Sequence, residues 1–504
     1  MSQGHLFIVR GDLTTVASDA ALVPTDRACN ITQHWWHLFR SEDLEDSYGG
    51  WKRFVGPAEG LRSGAVRLYQ GRYWLFSAAH SEPSALAEHV AAAVQVAAAG
   101  ITAGGGRVRP LVSLPLPGTG AGGLTHRRGA VVEHLLPVLR VAAQAHGVDV
   151  ALVLADDRDA AAVQRSRSYG YWDALPAELH EPADVLGERA AAGRLSLFIG
   201  AGVSTSLGLP DWDGLVGGLR QEAGLGPTSA SAPDAAQEAA DVLGEQAVLD
   251  RVSAVFDVRE CTLAHALLAD LRIREAVTTN YDTAYEVAVN GLHRQTDGAV
   301  KVLTRTVVDP DRPWLLKLHG DARSGRGIVL TRAQYAEFEA RGVPLRGMVQ
   351  SLLMTGHLMF VGYSLVDETF ALLAQQVRDV LTDSDEPRGQ VGTVLPVAED
   401  AHLRERCGDD LAYLPMPVDP SQAAEGARLL GIFLDRVAWR ASQGRLDSLQ
   451  YLLDDRYAEV QRTPEDDKLK ELAREVLSRS GAGARRSAGW QHFVTALHRL
   501  GADV

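Results

Sequence analysis

Four short loops in the middle of the chain concentrate the residue types that chemistry needs. They read Gly200-Ala201-Gly202-Val203-Ser204, Thr278-Thr279-Asn280-Tyr281-Asp282, His319-Gly320-Asp321 and Gly362-Tyr363-Ser364. Each follows an apolar run with the composition of a buried strand, at 195–199, 275–279, 314–318 and 358–361. In an open parallel sheet, ligands bind in the crevice beyond the carboxyl ends of the strands. Loops far apart in sequence would therefore meet at one site. Glycines at 200 and 202 would let the backbone approach a pyrophosphate, whose oxygens the free N–H groups of the following turn can hold. His319 could simply fill a core, but at a strand end, before Gly-Asp and beside the Asn280 loop, it reads as functional. Asn280 also suits a turn cap, and Asp282 suits the N-cap of the helix that follows, a role compatible with a second one. Such loop-end positions predict side chains that face solvent.

The elements that must position these loops follow from the apolar patterning. Beyond the four runs, strand candidates lie at 328–330 and 391–396, and the second unit reads as a doubly wound α/β sheet. An earlier unit alternates strands (6–9, 20–23, 73–76, 111–116, 148–154) with helices (84–99, 128–145), which predicts a further α/β domain with a mainly parallel or mixed sheet. Residues 165–188 look connective, and 227–233 is a Ser/Ala/Pro-rich loop inside a mostly helical insertion. Past about 400 the spacing is helical, at 423–442, 446–457 and 469–478, with a Gly/Ala/Arg linker at 481–487. The expected organisation is 1–160, a linker at 161–184, 185–400, and a helical region at 401–504. Asp367 reads as a helix-start residue. Asp454, Asp455, Asp466 and Asp467 read as a solvated face.

Composition narrows the class. A 504-residue chain with 46% hydrophobic and 23% charged residues is an ordinary multidomain folded protein. Its formal net charge of -14 removes the electrostatic argument for nucleic acid. Three distant cysteines, Cys29, Cys261 and Cys407, offer neither a disulfide framework nor a paired zinc site. The start of the chain lacks the pattern of a signal peptide, and no apolar stretch reaches the roughly 20 residues of a membrane span. A cytoplasmic location and no membrane partner are therefore expected.

The four loops, together with Gly208-Leu209-Pro210-Asp211-Trp212 and Lys317-Leu318-His319-Gly320-Asp321, resemble the sirtuin (SIR2-like) domain, and within it the bacterial antiphage-defence type. The resemblance implies a Rossmann-like fold over about 185–396 and NAD+ as a bound substrate. It implies that Asn280 holds the nicotinamide ribose or the attacking water, that Asp282 organises that pocket, and that His319 is the general base. Gly200, Ala201, Gly202, Ser204, Gly362 and Ser364 would contact phosphates and ribose, and Trp212 would either cover the nicotinamide or belong to the core.

Two departures separate the chain from deacylating sirtuins. Their four-cysteine zinc module cannot be built here, and Asp213 stands where they carry an arginine after the aromatic residue. The resemblance therefore implies hydrolysis of NAD+ to nicotinamide and ADP-ribose, without a metal, as an NAD-depleting effector of antiphage defence. The alternatives are an NAD-dependent protein deacylase or ADP-ribosyltransferase, or a non-catalytic NAD/ADP-ribose sensor. A homo-oligomer with a defence-system partner protein is expected from the same resemblance.

The first unit resembles a macro domain at Arg10-Gly11-Asp12-Leu13-Thr14, at 19–23, and at the loop Gly118-Thr119-Gly120-Ala121-Gly122-Gly123. That resemblance implies an adenine nucleotide or ADP-ribose-like ligand, with Asp12 meeting the adenine and Gly118, Thr119, Gly120, Ala121 and Gly122 wrapping the diphosphate. Pro24-Thr25-Asp26 replaces the family's asparagine-rich stretch.

Overall fold

The computed structural model describes residues 3–56, 67–69, 71–293, 298–304, 306–309, 311–365, 376–377, 389–445, 448–479 and 488–502. Asp367 and the 481–487 linker lie outside the described residues. Two parallel-rich sheets organise the chain. The first runs from edge to edge as Leu6–Arg10, Asp149–Leu154, Leu111–Leu114, Ala20–Thr25, Tyr73–Ser77 and Arg67–Tyr69, antiparallel only at the last pair. The second runs as Lys301–Leu303, Trp314–Lys317, Glu275–Thr278, Leu195–Ile199, His357–Val361, Gly392–Leu395 and Leu411–Tyr413, all parallel. The fold class is α/β, as the alternation of strand and helix patterns predicts.

Parallel strands buried on both faces need apolar residues at every position, and Leu6–Arg10 shows how the two faces are used. Leu6 and Ile8 pack with the helices Pro83–Gly100 and Arg128–His146 on the outer face. Phe7 and Val9 point the other way, into a core shared with Leu195, Leu197 and Ile199 of the second sheet. Between the sheets lie the helices His180–Ala191, Leu263–Asp270, Ala284–Leu292 and Ala423–Gln443. The far face of the second sheet, with Phe198 and Phe360, is covered by Arg332–Arg341 and Val343–Thr355.

Several expectations are corrected. The second sheet does not end near 400, since Leu411–Tyr413 adds a seventh strand inside the stretch read as helical; three residues are too few for a period to register. The 161–184 stretch is no loose linker. Trp172 is completely buried, and its indole Nε1 donates to Asp435 at 3.0 Å. Residues 328–330 form no strand, and 448–457 form turns and one 3-10 turn (Asp455–Tyr457) where a helix was expected. There Asp454 accepts from the Arg456 N–H, a local bond that competes with helix formation. Asp454 is buried and pairs with Arg158 and Arg456, so it is not part of a solvated face. Among the described residues no helix is long and apolar enough to cross a membrane.

Candidate functional site

The strand Leu195–Ile199 lies between Glu275–Thr278 on one side and His357–Val361 on the other, and Ile199 is in register with both Thr278 and Val361. The strand order reverses here, so three loops leave the sheet together at its switch point. The Gly200 N–H donates to Val361 O at 2.9 Å and the Gly202 N–H to Gly362 O at 3.0 Å. A Cβ on Gly200 would stand 2.2 Å from Gly362 O. Gly362 has φ +65, and a Cβ there would stand 2.6 Å from Val203 N. The glycines thus let two loops pack backbone to backbone. This corrects the expectation of free amides, because the Gly202, Val203 and Ser204 N–H groups all have protein acceptors.

The second loop is fixed from below. Thr278 Oγ1 donates to Ile199 O at 2.7 Å and accepts from the Asn280 N–H at 2.9 Å. Asp282 takes Ser204 Oγ at 2.8 Å on one carboxylate oxygen and the Ala284 N–H at 3.1 Å on the other. It therefore both meets the first loop and satisfies an N–H at the start of the helix Ala284–Leu292. Asn280 is half-buried, whereas Ser204 and Asp282 are buried.

His319 starts one strand further out, where the Leu318 N–H donates to Thr278 O and the Ala322 N–H to Tyr281 O. Its side chain does not face solvent as expected. It is 6% exposed, with the rings of Tyr335 and Phe338 edge-on at 5.6 and 5.9 Å. Trp212 is half-buried and packs as a core residue, joining the apolar cluster under the helical insertion and stacking on Tyr281 at 6.2 Å. Ala201, Gly202 and Ser364 are exposed, and Ser364 offers its carbonyl to Arg406.

Sequence reasoning included Lys317 in the Lys317–Asp321 motif but gave it no role. This lysine, one of five in an arginine-rich chain, is fully buried at the end of its strand. Its ammonium donates to Tyr281 O at 3.2 Å, Asp282 O at 2.7 Å and Asp321 Oδ1 at 2.9 Å, and pairs with Glu286 at 2.6 Å. Burial pulls its pKa down, but the carboxylates of Glu286 and Asp321 outweigh burial and hold it above the ordinary lysine value. Burial raises Glu286. The signal available in sequence was a lone charge ending an otherwise apolar strand.

A cavity of about 800 Å³ lies at the carboxyl end of the first sheet. Asp12 and the five residues Gly118, Thr119, Gly120, Ala121 and Gly122 all line it, together with Trp35 and Trp51. Asp12 is already held locally, accepting from the Thr14 N–H and hydroxyl at 2.9 and 2.8 Å. Asp159 also lines the cavity; burial pushes its carboxyl up to about 6 despite Arg128 at 3.3 Å. Unexpectedly, Arg259, Val287, Asn290, Gly291 and Arg323 of the second unit share the wall.

Residues 274–411 match the SIR2-like domain family. Over this stretch the chain is similar to a SIR2-like domain. The matched stretch opens at the strand Glu275–Thr278, includes Asn280, Asp282, His319, Gly362 and Ser364, and closes at the seventh strand. The chain is 30% identical over 206 residues to an NAD(+) hydrolase ThsA of Bacillus cereus (strain MSX-D12), covering 39% of this chain and 41% of that protein. It is 26% identical over 208 residues to Defense-associated sirtuin 2 of Bacillus subtilis, covering 39% and 20%. An NAD(+) hydrolase ThsA of Enterococcus faecium is 25% identical over 211 residues, covering 40% and 43%. The similarity thus spans between a fifth and just over two fifths of these relatives' length.

Proposed function

We propose that this protein hydrolyses NAD+ to nicotinamide and ADP-ribose and serves as an NAD-depleting effector in antiphage defence. The observation that carries this reading is the meeting of the Ser204 and Asn280–Asp282 loops at the switch point of the sheet, with the His319 loop bonded to the second of them from the next strand, in a chain whose relatives are named NAD(+) hydrolases.

The chemistry asked of the site is modest. The bond from the ribose C1′ to the nicotinamide nitrogen breaks, that nitrogen keeps the electron pair, and a water oxygen bonds to C1′ through an oxocarbenium-like state. In this reading Asn280 positions the water or the ribose hydroxyls, and His319 takes the proton the water gives up. Asp282, oriented by Ser204, organises the ribose side, and Trp212 covers the nicotinamide. Gly200, Ala201, Gly202, Gly362 and Ser364 run along the diphosphate and ribose. The engaged amides of the first loop and the buried His319 ring support a resting state that must open for turnover. No step calls for a metal.

In the same reading, residues 1–160 form a macro-like regulatory unit that takes an adenine nucleotide or ADP-ribose-like ligand. The cavity around Asp12 and the 118–122 loop supports this. Residues 185–400, with the strand Leu411–Tyr413, form the catalytic unit. A cytoplasmic, self-associating protein that answers to a defence partner completes the proposal.

The test is incubation of the purified protein with NAD+ and chromatography of the products. Nicotinamide and ADP-ribose should form in equal amounts, with no stimulation by an acylated peptide. Asn280→Ala and His319→Gln should each lose on the order of 100-fold or more; the glutamine fills the buried site that alanine would leave empty. Full activity in both variants would overturn the assignment, and turnover that requires the peptide would favour a deacylase.

A further inference from the structure

The helix Ala284–Leu292 has one end at the candidate catalytic loops and the other in the wall of the 800 Å³ cavity. Nine helical residues span only about 13 Å. At its start Asp282 accepts the Ala284 N–H, and Glu286 pairs with the same Lys317 ammonium that holds the Tyr281 and Asp282 carbonyls and the Asp321 carboxylate. At its end Gly291 lies against the Asp12 loop. A Cβ there would stand 3.2 Å from Asp12 N and 3.4 Å from Thr15 Oγ1.

A second connection runs beside it. Arg323 lies four residues after His319 and lines the cavity, its Nε bonded to Asp257 Oδ1 at 3.0 Å. Arg259, exposed, lines it too. The first unit thus supplies a glycine loop and Asp12, and the second unit supplies two guanidinium groups. Backbone turns rich in glycine and arginine forks both suit phosphate oxygens.

We infer that this cavity is an effector site completed by the catalytic unit. A diphosphate-bearing nucleotide seated on the 118–122 loop is gripped by Arg259 and Arg323, and the helix Ala284–Leu292 and the 319–326 loop report its presence to Asp282 and His319. The inference rests on the reading of residues 1–160 as a nucleotide-binding unit. The ligand acts only through a difference in affinity between two arrangements of these loops. Coupling is then reciprocal, so a ligand at one site changes affinity at the other by the same factor.

The experiment uses the full chain and ADP-ribose as the probe. Calorimetry should find ADP-ribose bound by the wild type. Gly120→Glu should abolish binding; a Cβ at Gly120 meets nothing within 4 Å, so the fold should tolerate the change. Arg323→Ala should weaken binding about tenfold or more, as expected for a lost charge-assisted hydrogen bond. Hydrogen exchange of the 284–292 amides should slow on binding in the wild type and not in Gly120→Glu. The rate of nicotinamide release should also change, upward for an effector made elsewhere or downward for feedback by the product. No binding by the wild type, undiminished binding by Gly120→Glu, or equal binding by Arg323→Ala would overturn the site. Binding that leaves both the exchange of 284–292 and the rate unchanged would overturn the coupling. If no variant or condition releases nicotinamide, the hydrolase reading fails, while binding and exchange still decide this one.

Discussion

Ser204 Oγ donates a 2.8 Å hydrogen bond to Asp282 Oδ2, and both groups are buried. The bond ties the loop after one strand to the loop after its neighbour, so neither can shift alone. Ser204→Ala removes the donor and leaves a buried carboxylate oxygen without it, a loss on the order of 1–3 kcal/mol. Nicotinamide release should fall between about fivefold and a hundredfold. Asp282→Asn should fall at least as far, and Ser204→Ala on that background should add little further. Steady-state rates of the two single variants and the double variant check this.

Lys317 gives the second prediction. Replacing it with methionine keeps the length of the chain and removes the cation between Glu286 and Asp321. Breaking a buried ion pair from one side costs about 3–5 kcal/mol. Urea unfolding of Lys317→Met should show a midpoint lowered accordingly. Combining it with Glu286→Leu should recover part of the loss, since the stranded carboxylate goes with its partner. A double variant weaker than the single one would show that Glu286 contributes in some other way.

Acid should destabilise the fold through histidines that cannot charge. Burial pushes His265 down to about 4, and burial together with Arg189 does the same to His357. In the unfolded chain each protonates near its ordinary value of 6.5. The unfolded state therefore binds more protons between about pH 6.5 and 4. Stability is full above that window and is lost as pH falls through it, by up to about 3 kcal/mol for fully buried His265. His265 Nδ1 accepts from the Thr262 N–H in a capping box, a role glutamine can fill. His265→Gln should flatten the dependence of melting temperature on pH between 6.5 and 4 and leave the value at pH 8 nearly unchanged.

The sheet and its loops were legible because each central strand is an apolar run that stops abruptly at Gly, Asn or His. What stayed hidden depends on contacts between distant segments. Both faces of Leu6–Arg10 look alike in sequence, so nothing shows that Phe7 and Val9 share a core with Leu195 and Leu197. A glycine that makes room for Gly362 has the same signature as one that makes room for phosphate. Every residue of Ala284–Leu292 is buried, and its polar pair Glu286 and Asn290, four residues apart on one face, reads in sequence as an ordinary solvated stripe and gives no hint that Asn290 and Gly291 border a cavity. The burial of His319 rests on Tyr335 and Phe338, three residues apart in an otherwise polar helix, a pair that could have been read as a covering stripe.

The carboxylate of Asp435, fully buried on the helix Ala423–Gln443, accepts from the Ile8 N–H, from Trp172 and from Arg167, and pairs with His5 at 3.0 Å. Its partners are made early, and Asp435 itself follows Arg167 by 268 residues. At about 5–20 residues per second, a ribosome needs roughly 13–54 s to cover that distance. Until then Arg167 waits without its counter-charge and His5 without its hydrogen-bond partner, and the apolar faces of both sheets wait without the helix that separates them. On the proposed reading, a chain that consumes NAD+ is thus held unfinished through most of its synthesis, and one broken off before Ala423–Gln443 should never become active.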